Sequence, residues 1–222
     1  LAASPFNGLI DQVRIFNYAR TAAQIAWDYN RGGPVGYWKF DECQGTVAND
    51  SSGNGNSGTI TVGALGEDTV GTCSTSSTAW GSGATGKYNS SLSFDGSDDY
   101  VSLSNSTYLS PGSGDLTVSA WVKPSVVNSN EYWIYADYGA TTNNLVMLRI
   151  FSSNKFQAFF RDGSANSATP QGTTTPIVGN WYHVVGIRSG TTVYLYVNGV
   201  LENSASNASL GTITTSDGLV PQ

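Results

Sequence analysis

Short runs of apolar residues, each bounded by Gly, Asn, Ser or Pro, recur along almost the whole 222-residue chain. Several runs alternate apolar and polar residues, as a β-strand does when only one of its faces is buried. The clearest hairpin signal is in residues 194–201, where Asn198 and Gly199 accept the positive φ angles of a two-residue turn. So many short strands predict an all-β chain, built as an antiparallel sandwich or barrel. The strands are expected at 8–17, 35–42, 57–62, 90–94, 98–104, 115–123, 131–137, 144–151, 155–161, 180–188, 191–198 and 200–204.

One segment near the N-terminus departs from the strand pattern. Thr21 and Gln24 have the spacing of a capping box, and apolar residues follow at helical spacing. Two glycines and a proline in residues 31–34 end this pattern, since Gly suits a helix C-cap and Pro cannot continue a helix. The sequence therefore predicts one short helix and then a boundary between residues 1–33 and residues 34–222.

The composition limits the partners of the chain. Charged residues make up 12% of it, and the formal net charge is −6. Nucleic acids and anionic membranes select clustered Lys and Arg, so neither is an expected partner. No run approaches the roughly 18 apolar residues of a membrane span, so we expect no membrane insertion.

Cys43 and Cys73 are the only cysteines. They either form a disulfide in an oxidising compartment or remain two buried thiols of a cytosolic protein. Because the chain is rich in Ser, Thr, Gly and Asn and poor in Lys, we favour the disulfide and an extracellular or cell-surface location. The bridge would tether residues 63–87, a Gly/Ser/Thr-rich stretch that is expected to form a long surface insertion.

Several segments, read in order, resemble the laminin-G-like jelly-roll family of the concanavalin A-like lectin/glucanase superfamily, which occurs in large bacterial surface and secreted proteins. The resemblance implies an all-β, two-sheet antiparallel jelly-roll sandwich that acts as an extracellular structural or binding module. The matching segments are 36–42 (opening strand), 50–58 (following loop), 92–101 (next hairpin), 116–124 and 181–185 (central strands) and 195–199 (late hairpin).

The order of this resemblance breaks at the N-terminus. Residues 6–16 resemble the last strand of the family, yet they begin the chain. The chain is then a circular permutant, a fragment of two tandem domains, or a subunit that lends this strand to a neighbour. A jelly roll without its last strand exposes unpaired amides that invite another chain, so copies of itself or adjacent repeats are expected partners in a head-to-tail assembly. The predicted assembly strand presents Leu9, Ile10, Val13 and Ile15.

Residues 50–55 follow the first half of a calcium-binding loop. Asp50, Ser52 and Asn54 alternate oxygen-bearing side chains, and Gly55 allows the sharp turn, but Thr61 stands where a bidentate Glu is expected. Further carboxylates must therefore come from elsewhere. Related jelly rolls often hold one structural calcium between the first strand, a nearby loop and the last strand, which implies the same arrangement here. The predicted Ca²⁺ ligands are Asp11, Asp41, Glu42, Asp50, Ser52, Asn54 and Asn56. The alternative is an Asx-turn loop that its own side chains hold together.

Exposed aromatic side chains predict a surface for sugar rings. Trp80 lies in the polar insertion, and Trp133, Tyr135 and Tyr138 lie on or beside a predicted strand. The alternative for each of them is core or cross-strand packing. The remaining prominent aromatics, which are assigned to the sandwich interior or its flanks, are Trp38, Phe40, Phe94, Trp121 and Trp181.

Catalytic signals are weak. His183 is the only histidine, and it lies on an apolar predicted strand where a structural role is expected. An acidic cluster of Asp95, Asp98 and Asp99 is interpreted as a solvated turn in preference to a metal site. We therefore expect no enzymatic activity. The leading hypothesis is a self-associating structural module, the alternative is a calcium-supported carbohydrate-binding module, and a glycoside hydrolase is the least supported.

Overall fold

The computed structural model describes residue 19 and residues 33–65, 69–103, 111–138 and 144–214. The chain divides into two units, Leu1–Pro34 and Val35–Gln222, and every element described here belongs to the second. The predicted strand 8–17 and N-terminal helix lie outside the described residues, so both stay predictions. The elements are β1 (Val47–Ala48), β2 (Gly58–Thr61), α1 (Ala79–Ser82), β3 (Tyr100–Leu103), β4 (Leu116–Val122), β5 (Tyr132–Tyr138), β6 (Leu145–Phe151), β7 (Lys155–Arg161), β8 (Ser167–Ala168), β9 (Tyr182–Ser189), β10 (Thr192–Val197) and β11 (Val200–Ser206).

The described strands form three antiparallel sheets. Two have four strands, in the orders β11-β10-β9-β4 and β5-β6-β7-β8, and the third has the order β1-β2-β3. The β10–β11 hairpin turns through Asn198 and Gly199, whose φ angles are 50° and 80°. The prediction from this Asn-Gly pair is confirmed, and so is the expected all-β jelly-roll sandwich.

The main core lies between the two four-stranded sheets. Its buried members include Phe156 and Phe160 from β7 and Val184 and Leu195 from β9 and β10. These side chains alternate along their strands with more exposed residues, as the pleat requires. Each fully buried side chain of this size stabilises the fold by about 1.5–3 kcal/mol relative to leaving it exposed.

A second core lies beneath the small sheet and contains Trp80 of α1, with Ala48, Ile60 and Val101 from β1, β2 and β3. The helix begins after Thr78, whose hydroxyl accepts a hydrogen bond from the backbone N–H of Gly81. The interpretation of residues 63–87 as a surface insertion is therefore wrong for this part, because α1 supplies core side chains.

Two predicted strands are not formed as regular strands. In residues 35–42 the described pairing is a single bridge between Trp38 and Asp50. In residues 90–94, Ser91 and Ser93 donate their backbone N–H groups to the carbonyls of Gly83 and Ala79, so these groups hold the segment to the helical region instead of to a strand. The other predicted strands from residue 57 onward each overlap a described strand.

Candidate functional site

The predicted calcium loop is held together by its own hydrogen bonds. Oδ1 of Asp50 accepts from the backbone N–H groups of Tyr37 (2.9 Å) and Ser52 (2.8 Å), and Oδ2 accepts from that of Asn56 (2.9 Å). Burial raises the pKa of Asp50, but hydrogen bonds from Ser52, Tyr37 and Asn56 outweigh it and hold the pKa below its usual value. The Asp50 carboxylate is thus stabilised as an anion by backbone donors.

The other side chains of this loop converge on one carbonyl. The Val35 oxygen accepts hydrogen bonds from Ser52 Oγ (3.3 Å), Asn54 Nδ2 (3.2 Å) and Asn56 Nδ2 (2.8 Å). A cation is bound by oxygen atoms, whereas here two amide groups present N–H donors. This geometry is that of the alternative, an Asx-turn loop.

Of the remaining described ligands, Asp41 has partners for both carboxylate oxygens, whereas Glu42 has them for one and its Oε2 is buried without a hydrogen-bond partner. Asp41 accepts from Asn89 Nδ2 (3.1 Å) and from the Ser90 backbone N–H (3.4 Å), and Glu42 Oε1 accepts from the backbone and the side chain of Asn49. Asp11 lies outside the described residues. The structure does not bring the described carboxylates of this set together as a group of three, so a calcium ion bound by them stays a prediction.

Trp80 is not a surface residue. Its side chain is 0% exposed, and its indole Nε1–H donates to the Gly45 carbonyl at 2.9 Å. The prediction of Trp80 as a sugar-binding side chain is wrong, because a wholly buried indole cannot present its face to a ligand.

The predicted aromatic residues of β5 differ in exposure. Tyr138 is 39% exposed and Trp133 is partly buried. Tyr135 packs against both cores, and burial together with the charge of Asp137 raises the pKa of its phenol. Trp133 is paired across the strands with Arg149, whose guanidinium forms an ion pair with Glu131 at 2.6 Å. Tyr138 and Trp133 remain predicted binding residues, whereas Tyr135 has the packing role.

An aromatic cluster that the sequence interpretation did not propose as a binding site lies on the outer face of the β4–β9 sheet. Trp121 is 38% exposed and is paired across the strands with His183, with the two ring centroids 5.1 Å apart. Tyr88, 67% exposed, meets the Trp121 ring edge-on at 6.0 Å, and Lys87 Nζ lies 4.7 Å from the centre of that ring. We call Lys87, Tyr88, Trp121 and His183 the Trp121 patch.

The alternation of inward-facing and outward-facing residues along β4 could have predicted this patch from the sequence. Leu116, Val118 and Val122 pack against the main core, so the residues between them point outward. Trp121 shares the outward phase with Thr117 and Ser119. A Trp at a position of the strand that faces solvent is the sequence signal for a binding surface, because burial in the core does not account for a Trp there.

A three-carboxylate group lies in the turn before β3. One carboxylate oxygen of each of Asp95, Asp98 and Asp99 lies within 4.8 Å of the others. Asp99 is only 2% exposed, so a fully solvated turn is the wrong description of this segment. Burial raises the pKa of Asp99, and the charges of Asp95 and Asp98 raise it further.

The two cysteines are joined. The Cys43–Cys73 disulfide closes a sequence separation of 30 residues, and Cys73 packs against the second core. The predicted disulfide is confirmed. Among the described residues, no helix has both the length and the apolar character that spanning a membrane would require.

Comparison with known proteins agrees with this architecture. Residues 95–220, more than half of the chain, match a laminin-G family model described as the concanavalin A-like lectin/glucanases superfamily. The chain belongs to this family. The expected laminin-G-like resemblance is thereby confirmed. A comparison with curated protein sequences finds no significant match.

Two solved binding domains share this fold at low sequence identity, and a third structure is similar over a smaller part of the chain. The binding domain of Paraclostridial Mosquitocidal Protein 1 has a TM-score of 0.59 and 14% identity over 81% of this chain and 42% of that one. The botulinum neurotoxin serotype D binding domain has a TM-score of 0.54 and 18% identity, over 77% and 39%. Domains LG4-5 of the mouse laminin alpha1 chain have a TM-score of 0.47 and 18% identity, over 58% and 33%. The chain thus spans less than half the length of each of these proteins.

Proposed function

We propose that this chain is a non-catalytic, extracellular module that binds glycans through the Trp121 patch. The observation that carries the proposal is a Trp side chain left 38% exposed on an outer sheet face and surrounded by Tyr88, Lys87 and His183. Its fold neighbours include two toxin binding domains, and a general binding role for this chain agrees with them.

The patch has the chemistry that a sugar needs. An indole face carries partial negative charge and attracts the weakly positive C–H groups of a pyranose ring. The Lys87 ammonium lies over the Trp121 ring, 4.7 Å from its centre, and the Tyr88 ring meets it edge-on. The Lys87 ammonium and the Tyr88 hydroxyl are groups that can donate hydrogen bonds to sugar hydroxyls or carboxylates. Binding sites commonly combine an apolar platform with a few polar groups in this way.

The family contains both lectins and glucanases, so the choice between binding and hydrolysis rests on the side chains. Hydrolysis requires two carboxylates on opposite sides of the scissile bond, both in contact with the sugar. The acidic group of Asp95, Asp98 and Asp99 includes buried oxygens that a sugar cannot reach. His183 packs against Trp121 at 5.1 Å, where it contributes to the platform. A binding role therefore fits these residues better than catalysis.

The extracellular part of the proposal rests on the Cys43–Cys73 disulfide, because such bonds persist in oxidising compartments. Self-association through residues 8–17 remains a separate prediction, since that strand lies outside the described residues.

A glycan array with the purified chain tests the proposal, followed by titration calorimetry on any glycan that binds. Trp121→Ala is expected to weaken binding at least tenfold, because it removes the platform. Tyr88→Phe keeps the ring and removes only the hydroxyl, so it should weaken binding less. Both residues are exposed, so the melting temperature should change by only a few degrees.

Trp133→Ala is the matched comparison on the other predicted surface. Binding that is lost with Trp133→Ala and kept with Trp121→Ala would place the glycan on β5 and contradict the Trp121 patch. No binding by the wild-type chain to a broad array would contradict the proposal as a whole.

A further inference from the structure

The sheet that carries the Trp121 patch presents no charged side chain at the outward positions of its strands. Val184 and Leu195 point into the main core, so the residues that alternate with them along β9 and β10 point outward. Strands β4, β9, β10 and β11 contain two residues of the Asp, Glu, Lys and Arg types. Arg188 is buried, and Glu202 accepts a hydrogen bond from the Thr173 backbone N–H at 2.8 Å. The outward positions of these four strands are therefore uncharged.

The strand pairing extends this face from the Trp121 patch across the sheet. Trp121 is paired with His183, and two residues back along β4, Ser119 is paired with Val185. Val185 is paired in turn with Tyr196 of β10, which is half-buried. Neighbouring strands lie about 4.8 Å apart and two residues span about 6.8 Å along a strand, so the backbones of Trp121 and Tyr196 are roughly 12 Å apart. One sugar ring cannot cover both aromatic side chains.

Hydroxyl groups occupy many of the positions around these aromatic residues. Thr117 and Ser119 lie exposed on the outward side of β4, and Tyr194 of β10 is paired with Ser204 of β11. Within the part of the chain that the structure describes, no residue forms a hydrogen bond with the hydroxyl of Tyr194 or of Tyr196. A hydroxyl both donates and accepts, so these groups are available to a ligand that is itself rich in hydroxyls.

We propose that the Trp121 patch is one end of an extended binding surface, and that its ligand is a neutral oligosaccharide of several sugar units. This inference rests on the glycan-binding function proposed above. The C–H face of one sugar stacks on Trp121, a sugar further along the ligand contacts Tyr196, and hydroxyls between them reach Ser119. The outward strand positions supply no cation, so the carboxylates of an acidic glycan would lie there without an ionic partner. We call this surface the outer strip and define it by Trp121, Ser119, Val185, Tyr196 and Tyr194.

A second copy of this chain fits the outer strip less well than a sugar does. The cores of protein–protein interfaces are depleted in Ser, whereas this face is rich in hydroxyl side chains. Val185 and Ile187 are the outward aliphatic residues of β9, and both are already partly buried within the chain itself. On β4 the exposed positions are Thr117, Ser119 and Trp121. Two hydroxyls beside an indole favour a sugar chain as the occupant.

Titration calorimetry of the full chain with sugars of graded length tests the proposal. The probes are neutral oligosaccharides from xylan, mannan and cellulose, from the single sugar to the hexasaccharide, with oligosaccharides of polygalacturonate as the acidic comparison. In the best neutral series we expect the affinity to rise at least tenfold between the shortest sugar that binds and the hexasaccharide, because the added units reach Tyr196. Salt should change this affinity little, since a neutral ligand makes no ionic contact along the strip.

Two variants separate the far part of the strip from the Trp121 patch. Ser119 is exposed, so Ser119→Glu places a bulky carboxylate on the strip without disturbing the core. Ser119→Glu and Tyr196→Ala should each weaken hexasaccharide binding at least tenfold and leave binding of the shortest sugar unchanged. Tyr37→Ala is the control, because Tyr37 is 48% exposed and lies outside both four-stranded sheets. It should change neither affinity.

Four results would overturn the inference. If the shortest sugar binds as tightly as the hexasaccharide and Trp121→Ala still abolishes binding, the extended strip is refuted and the proposed function stands. Tighter binding of the acidic series would refute a neutral ligand. A wild-type dimer in light scattering that Ser119→Glu converts to a monomer would assign the face to a second copy. A wild-type chain that binds none of these sugars and no glycan of the array would contradict the proposed function as well.

Discussion

Replacing Trp80 tests most directly whether α1 contributes to the second core. The side chain is 0% exposed and packs with Ala48, Ile60 and Val101 of the small sheet. Truncating a buried Trp to Ala removes its transfer free energy and leaves a cavity, at a cost of about 3–5 kcal/mol. In a domain of this size each kcal/mol lowers the melting temperature by roughly 2–4 °C, so Trp80→Ala should lower it by roughly 6–20 °C.

Trp80→Phe is the matched variant. It keeps an aromatic ring in the core but leaves the Gly45 carbonyl without the indole N–H that now lies 2.9 Å away. An unpaired buried acceptor costs about 1–3 kcal/mol, so the loss should be smaller than with Ala. Calorimetric melting and urea denaturation followed by circular dichroism measure both variants. A change within about 0.5 kcal/mol for Trp80→Ala, as at an exposed site, would refute the reasoning.

Three further predictions concern the disulfide, a buried acid and the N-terminal strand. Reducing Cys43–Cys73 should lower the free energy of unfolding by about 3–4 kcal/mol, from the entropy of a loop closed over 30 residues; equal urea midpoints with and without reductant would contradict this. Burial raises the pKa of Asp162, but hydrogen bonds from Asn166 and Gly211 lower it by a larger amount. The folded pKa therefore lies below the unfolded value. The stability from this carboxylate is therefore complete above the unfolded pKa of about 3.9 and is lost as the pH falls through the folded pKa. Asp162→Asn should consequently lower the melting temperature at pH 7, with a difference that shrinks below about pH 4; a constant difference would argue against it. Deleting residues 1–18 should abolish association or destabilise the jelly roll; a full chain and a variant that are both monomeric by light scattering and have equal melting temperatures would count against a shared strand.

Most of the correct sequence predictions rest on the two-residue period of the strands and on the residue types in the turns. Residues 191–198 and 200–204 form the expected hairpin because Asn198 and Gly199 adopt positive φ angles at little cost. These are local properties, since neighbouring residues set both the alternation and the turn. The disulfide was predictable for a different reason, because the chain offers one possible pair.

The errors arise where distant residues decide the outcome. Trp80 lies in a polar stretch, and its burial depends on the carbonyl of Gly45, which is 35 residues away, and on strands of the small sheet. The polar residues around Trp80 therefore predicted a surface position, whereas tertiary packing buries the side chain. Trp121 is the opposite case. It was assigned to the sandwich interior or its flanks because Trp residues are usually well buried, but its position on β4 places the side chain on the outer face.

The two acidic loops show why a residue pattern alone does not identify a cation site. In the Asp50 loop, one carboxylate meets three backbone N–H groups within hydrogen-bond distance, so both oxygens are satisfied by the chain. In the turn of Asp95, Asp98 and Asp99, the donors from residues 63 and 64 arrive from another part of the chain and still leave two oxygens unpaired. The first loop has the more calcium-like sequence, but its anion needs no further ligand. Which carboxylate oxygens have donors depends on residues distant in sequence, so that count requires the three-dimensional structure.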